Sequence, residues 1–230
     1  MKRSSGSMVI VAAVSAVVAV AALTASYMTR SSAIGLPAAP SAAAKGSACG
    51  PGACTVIERA TVGRSSVELL ADRAGDTGSL RVTGVSDGND ANTFDISITQ
   101  NGATLTGRSL ACRVLTVPAC VVTGRSSQGT IGEVFLMRDV GWSQIETPFV
   151  SDGGYLELTG SRANGSPEVV AAQRSCGATA PAKCQQRGVF AQVFSLTGGQ
   201  PRCTSTVSAL SELPGWPDVN PHSYQLGTCP

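Results

Sequence analysis

Eight cysteines are the residues of this 230-residue chain whose type and spacing most clearly indicate chemistry. An even number of cysteines in an exported chain is typical of a disulfide framework, and sequence alone does not fix the connectivity. Because the cysteines fall in neighbouring couples, we predict four nearest-neighbour disulfides. Structural zinc and thioredoxin-like redox chemistry are disfavoured, since the chain has no C-x-x-C pair and one histidine. The predicted pairs are Cys49 with Cys54, Cys112 with Cys120, Cys176 with Cys184, and Cys203 with Cys229.

Catalytic constellations are not evident. His222, in VNPHSYQ, is interpreted as an exposed loop residue rather than a catalytic base, because no G-x-S-x-G nucleophile elbow accompanies it. Neither G-x-G-x-x-G nor a P-loop occurs, so we expect no catalytic residue, no cofactor and no metal. Glycoside hydrolysis needs only two carboxylates, and no spacing favours any pair of them. The candidate acids are Asp87, Asp90, Asp95, Asp152 and Glu157, of which the first two more simply shape a turn.

Trp142 and Trp216 are the candidate binding residues. Their indole rings could stack on sugar rings at a binding surface. The alternative is packing, because tryptophans in a chain with 4% aromatic residues are more often buried in the core.

The elements that would position these residues are short β-strands. Runs such as SVELLA (66–71) and GVFAQVFSL (188–196) cluster β-branched and apolar residues between glycine-rich breaks. We predict a mainly β domain of antiparallel sheets, propeller-like or sandwich-like. TFDISIT (93–99) is predicted to be a strand, and Asn101-Gly102, between ISITQ and ATLTG, predicts a type I′ hairpin turn. Val207, Leu210 and Leu213 have helical spacing, which predicts one short helix over 205–213.

The run at residues 8–28 determines the expected compartment. Its 21 uncharged residues would reach about 31 Å as a helix, enough for the ~30 Å hydrocarbon core of a membrane. Lys2 and Arg3 precede it, so the remainder is expected outside the cytoplasm. The run is either a retained anchor in the plasma membrane, which its length favours, or a cleaved secretory signal.

The predicted organisation has three parts. Residues 1–30 form the signal anchor or signal peptide, and residues 31–48, rich in Ala, Ser and Pro, form a disordered tether. Residues 49–230 form one disulfide-stapled extracytoplasmic β domain. Without Lys2, Arg3 and Arg30 the chain carries 14 basic and 15 acidic residues, and the arginines are scattered singly, which argues against nucleic-acid binding.

The segment YLELTGSRANGSPEVVAAQ (155–173) resembles a degenerate FG-GAP or VCBS-type β-propeller repeat. In that family a strand leads into a D-x-[DN]-x-D-G-x-P-D calcium loop and then a V-V-A strand. The loop ligands would fall on Gly160, Arg162, Asn164 and Glu168, so carboxylates are lost and one position has become a cation. A hard cation needs six to eight oxygens, and we therefore expect no calcium at this loop.

Residues 49–230 are also similar to uncharacterised exported actinobacterial proteins that end in an L-P-G-W-P segment and a final cysteine, here LPGWPDVNPHSYQLGTC (213–229). That similarity implies no particular activity. Two hypotheses for function remain from the sequence. The first is a non-enzymatic module at the cell surface that contacts the membrane through residues 8–28 and binds an envelope protein or glycan. The alternative is an exported hydrolase acting on glycan or peptide.

Overall fold

The protein is mainly β, with three antiparallel sheets formed in chain order. The computed structural model describes Cys49, residues 53–84, 91–176, Cys184 and residues 187–230. The predicted anchor at 8–28, the tether at 31–48 and the two acids Asp87 and Asp90 lie outside these residues.

Each sheet is a meander in which successive strands are neighbours. In the second sheet, β9 also pairs with the first half of β7. The first sheet contains β1 (Thr55–Val62), β2 (Ser65–Ala71), β3 (Gly78–Thr83) and β4 (Asn92–Asp95). The second contains β5 (Leu110–Val114), β6 (Pro118–Ser126), β7 (Gly129–Arg138), β8 (Gly141–Gln144) and β9 (Phe149–Ser151). The third contains β10 (Leu156–Gly160), β11 (Pro167–Arg174), β12 (Val189–Ser195) and β13 (Arg202–Cys203).

The sheets pack face to face in the order first, second, third. Side chains alternate across a strand, so one strand serves two cores when both of its faces are covered. In β6, Cys120 and Val122 pack against the first sheet, whereas Ala119 and Val121 pack against the third. Continuous apolar runs in the middle of this sequence therefore correspond to strands buried on both faces.

The outer face of the third sheet is covered by residues 204–230, which we call the C-terminal segment. Val170 and Ala172 of β11 point to this side, and the segment buries Leu213 and Val219 against them. The disulfide between Cys203 and Cys229 ties the two ends of the segment together. The C-terminal segment thus completes the hydrophobic core on the outer face of the third sheet.

The outer face of the first sheet is polar. Glu68 on β2 lies directly across from Arg59 on β1 and Arg81 on β3. Both arginines hydrogen-bond its carboxylate through Nε, at 2.8 and 2.9 Å. This ladder of charges suits a sheet face that none of the described strands or 3₁₀ helices covers.

The four predicted disulfides are confirmed: Cys49–Cys54, Cys112–Cys120, Cys176–Cys184 and Cys203–Cys229. Cys112 and Cys120 are direct partners in the register of β5 and β6, with Cα atoms 4.0 Å apart. Four disulfides indicate that these residues mature in an oxidising, extracytoplasmic environment.

The hairpin turn predicted at Asn101-Gly102 is wrong. The strand predicted over 93–99 ends at Asp95, and Ser97–Asn101 forms a 3₁₀ helix. Gly102 ends this helix with φ 75°, and its N–H bonds the carbonyls of Ile98 and Thr99. The 3₁₀ helix forms instead of the predicted hairpin because it buries Ile98 completely in the core between the first two sheets.

The helix predicted over 205–213 is also wrong. Val207 instead pairs with Val189 in an antiparallel bridge, and only Leu210–Glu212 forms a 3₁₀ turn. The apolar spacing that suggested a helix lies in the C-terminal segment. There, backbone pairing of Val207 with β12 replaces helical hydrogen bonds. Pairing and burial against the third sheet thus override a local pattern.

Candidate functional site

A cleft of about 310 Å³ lies between the third sheet and the C-terminal segment. The loop after β10 contributes Ser161 and Arg162, and the sheet contributes Glu168, Ser195 and, from β13, Arg202. The remaining lining residues are Ala163, Val193, Gln200, Pro221, His222, Ser223 and Leu226. We call this the C-terminal cleft. Its volume is at the lower end of the ~300–1,000 Å³ range of small-molecule sites.

Arg162 connects the β10–β11 loop to the C-terminal segment. Its Nε donates to the carbonyl of Asn220 at 2.6 Å, and its Nη1 lies 3.2 Å from Nε2 of His222. A guanidinium only donates, so Nε2 of His222 is the acceptor in this contact. This arrangement positions the single histidine in the cleft wall.

Arg202 makes a second connection from the sheet to the segment. Its Nη2 donates to the carbonyls of Ser223, at 3.1 Å, and Leu226. The two arginines therefore hold the segment at three backbone carbonyls. Both side chains are exposed, so they also present guanidinium edges to solvent in the cleft.

Glu168 is the single carboxylate in the lining of this cleft. Burial raises the pKa of its carboxyl above the ordinary value, while a hydrogen bond from Ser161 and the charge of Arg202 act in the opposite direction. Since two arginines accompany one carboxylate, the cleft has an excess of positive charge.

An aromatic stack borders the cleft. His222 and Tyr224 lie nearly parallel, with ring centroids 5.2 Å apart and an interplanar angle of 13°. Tyr224 is 81% exposed, so the ring face opposite His222 is open to solvent. The cleft lining therefore combines guanidinium groups, hydroxyls and the imidazole of His222, and Tyr224 stacks on that imidazole from outside the lining.

The two tryptophans lie in different environments. Trp142 is 6% exposed in the core between the first two sheets, and its Nε1 donates to Ser65 Oγ at 3.1 Å. That placement favours the packing interpretation. Trp216 is 42% exposed and packs against Tyr155, with centroids 5.8 Å apart. It follows Gly215, which lies beside the guanidinium of Arg162, so Trp216 remains a candidate binding residue close to the C-terminal cleft.

The loop that resembles a calcium repeat forms a hydrogen-bonded turn. Asn164 Oδ1 accepts from the N–H of Ser166 at 3.0 Å, and Gly165 adopts φ 71°. Two of its predicted ligand positions, Arg162 and Glu168, line the C-terminal cleft instead.

Asp152 comes close to the disulfide of Cys176 and Cys184, with the carboxylate oxygen and both sulfurs within 4.8 Å of one another. The sulfurs are bonded to each other and are therefore not available as thiolate ligands. Asp152 Oδ1 accepts from the N–H of Arg174 at 2.7 Å, which gives it a structural role.

The other candidate acids do not join Glu168. Glu157 accepts from the hydroxyl of Tyr155 at 3.0 Å and lines a separate cleft. Asp95 lies at the end of β4 in the first sheet. Sequence reasoning considered His222 and Glu168 separately, and it missed Arg202, whose role depends on long-range contacts that no local spacing reveals.

No family model matches the chain, and its comparison with curated proteins and with solved structures gives no significant match. Among the described residues, no helix is both long and apolar enough to cross a membrane. The fold and the C-terminal cleft are therefore the features that bear on function.

Proposed function

We propose that residues 49–230 form a non-enzymatic, extracytoplasmic binding module that recognises a protein or glycan of the cell envelope through the C-terminal cleft. In this proposal residues 8–28 anchor the chain in the plasma membrane, or direct its secretion, and residues 31–48 are the tether. The observation that carries the proposal is the cleft itself: polar and cationic groups converge on one concave surface next to exposed aromatic rings.

The chemistry of the cleft favours binding over hydrolysis. Glycosidases of the usual kind use two carboxyl groups about 5–9 Å apart. Three clefts formed by the described residues each have one carboxylate in their lining: Glu168, Glu157 and Asp139. His222 Nε2 faces Arg162 rather than a serine hydroxyl, which is the wrong partner for a general base.

The propeller-like architecture is part of the same proposal. Three sequential meanders, each with four strands in its main path, resemble blades, and β9 adds a fifth strand to the second; residues 155–173 coincide with the β10–β11 hairpin of the third. Since known propellers have four to eight blades, we propose an open stack in which the C-terminal segment covers the face where a further blade would pack.

Photocrosslinking on living cells tests the proposed function. A photoreactive residue replaces Gln200, which is exposed at the cleft, in the full chain expressed in an actinobacterial host. The matched control replaces Ser66, exposed on the outer face of the first sheet. We expect envelope adducts from position 200 and few from position 66. Equal adducts from both positions, or none, would contradict a binding role for the cleft.

A further inference from the structure

The arginines of the C-terminal cleft have hydrogen-bonding capacity beyond their structural contacts. A guanidinium has five N–H donors in a planar fork. Arg162 uses Nε–H and one N–H of Nη1, and Arg202 uses its Nη2, in contacts with described residues. Three donors on each arginine are left for other acceptors. Guanidinium donors in this geometry favour carboxylate and phosphate oxygens.

The rest of the lining indicates what carries the anionic group. Ser161, Ser195 and Gln200 offer hydroxyl and amide groups that both donate and accept hydrogen bonds. Tyr224 lies outside this lining, where it stacks on the lining residue His222. Sugar hydroxyls both donate and accept hydrogen bonds, which matches these side chains. Two backbone carbonyls of the lining, those of Ser223 and Leu226, are already bonded to Arg202, which disfavours strand-like pairing with an extended peptide.

We propose that the ligand of the C-terminal cleft is an acidic saccharide, a sugar unit bearing a carboxylate or a phosphate. The anionic group meets the remaining N–H donors of Arg162 and Arg202, and the sugar hydroxyls meet Ser161, Ser195 and Gln200. Glu168 opposes the ligand, because its carboxylate competes for Arg202. This inference rests on the proposed function and specifies its ligand.

Titration calorimetry with the full chain in detergent tests the inference. The probes are trigalacturonate, which bears carboxylates, mannose 6-phosphate, which bears a phosphate, and neutral galactotriose. An acidic hexapeptide serves as the competing class. We expect one or both acidic sugars to bind, with affinity falling severalfold between about 50 mM and about 300 mM salt, and no binding of galactotriose. Comparison of the two acidic sugars identifies the anionic group.

Variants of the cleft sharpen the test. Arg202→Gln should weaken acidic sugar binding at least about tenfold, whereas Glu168→Gln should strengthen it about three- to tenfold, since it removes an opposing charge without changing shape. Arg108→Gln and Glu157→Gln, both in the separate cleft, are the matched controls and should leave affinity unchanged. If Arg202→Gln loosens the C-terminal segment, its loss of affinity no longer tests the inference, but the gain in affinity expected for Glu168→Gln does.

Several results would overturn the inference. Equal binding of galactotriose, stronger binding of the acidic hexapeptide, or no gain in Glu168→Gln would each do so. Failure of every sugar together with an envelope adduct at position 200 would reject the acidic saccharide and leave the proposed binding function standing. Failure of both would reject both.

Discussion

Glu133 provides the sharpest test of how the sheets are joined. It is 1% exposed on β7, on the same face as Ile131 and Phe135, where the second sheet packs against the first. Its carboxylate accepts from the N–H of Ser97, at 2.9 and 3.2 Å, and from the Ser97 hydroxyl. Because no side chain caps the 3₁₀ helix Ser97–Asn101 locally, this distant carboxylate satisfies its first N–H groups.

Burial raises the pKa of the Glu133 carboxyl, against the opposing effect of the hydrogen bonds from Ser97 and Ile98. A raised pKa in the folded state means that the contribution of Glu133 to stability is present below the unfolded-state pKa of about 4.5 and is lost as pH rises through the folded-state pKa. Glutamine cannot ionise, so the free energy of unfolding of Glu133→Gln should gain relative to wild type as pH rises from 4 to 8.

At pH 7 we expect Glu133→Gln to lie within about 1 kcal/mol of wild type on the stabilised side, because the amide oxygen still accepts from Ser97 and the charge is gone. Glu133→Ala should lose about 3 kcal/mol, because it leaves buried donors unsatisfied and opens a cavity. Urea denaturation of the oxidised full chain measures both variants. A loss above about 1.5 kcal/mol in Glu133→Gln at pH 7 would refute the reasoning, since the charged hydrogen bonds would then outweigh desolvation.

Three further predictions concern the disulfides, the charge ladder and the tryptophans. Replacing Cys203 and Cys229 together by serine should lower the free energy of unfolding by about 3.5 kcal/mol and speed hydrogen exchange in residues 204–230. Unchanged exchange there would contradict the conclusion that this disulfide holds the C-terminal segment on the third sheet. Glu68→Gln should lower the free energy of unfolding by at most about 1 kcal/mol at pH 7, because the arginines are partly exposed. The pKa of Glu68 is lowered, chiefly by the hydrogen bond from Arg59, so this loss should vanish at acid pH. Urea denaturation at both pH values measures the difference. Trp142→Ala should lower the free energy of unfolding by about 3–5 kcal/mol and Trp216→Ala by less than about 1 kcal/mol, because Trp142 is buried and Trp216 is partly exposed. Comparable losses in thermal denaturation would contradict the assignment of Trp142 to the core and Trp216 to the surface.

Strands and short disulfides could be predicted from the sequence because their signals are local. Cys112 and Cys120 are neighbouring cysteines in the sequence, and the register of β5 and β6 confirms the pair that this predicted. Asn101-Gly102 and the 205–213 pattern gave wrong elements because both segments respond to distant partners, Glu133 in one case and Val189 in the other. Local propensity does not contain those contacts.

The C-terminal cleft was harder to predict for the same physical reason. Arg162 and His222 are 60 positions apart in sequence and meet because the C-terminal segment folds back over the third sheet. The sequence did single out His222 and Glu168, each for a different hypothetical chemistry. The cationic character of the cleft emerged only when the structure placed both beside Arg202.

Export of residues 49–230 is the claim on which the compartment, the disulfides and the envelope ligand all depend. Protease shaving of intact cells that express the full chain, followed by mass spectrometry of the released peptides, tests it most directly. The account predicts that peptides from the third sheet, with Cys203 and Cys229 still linked, are released without lysis. Release of those peptides only after lysis, with reduced cysteines, would contradict it.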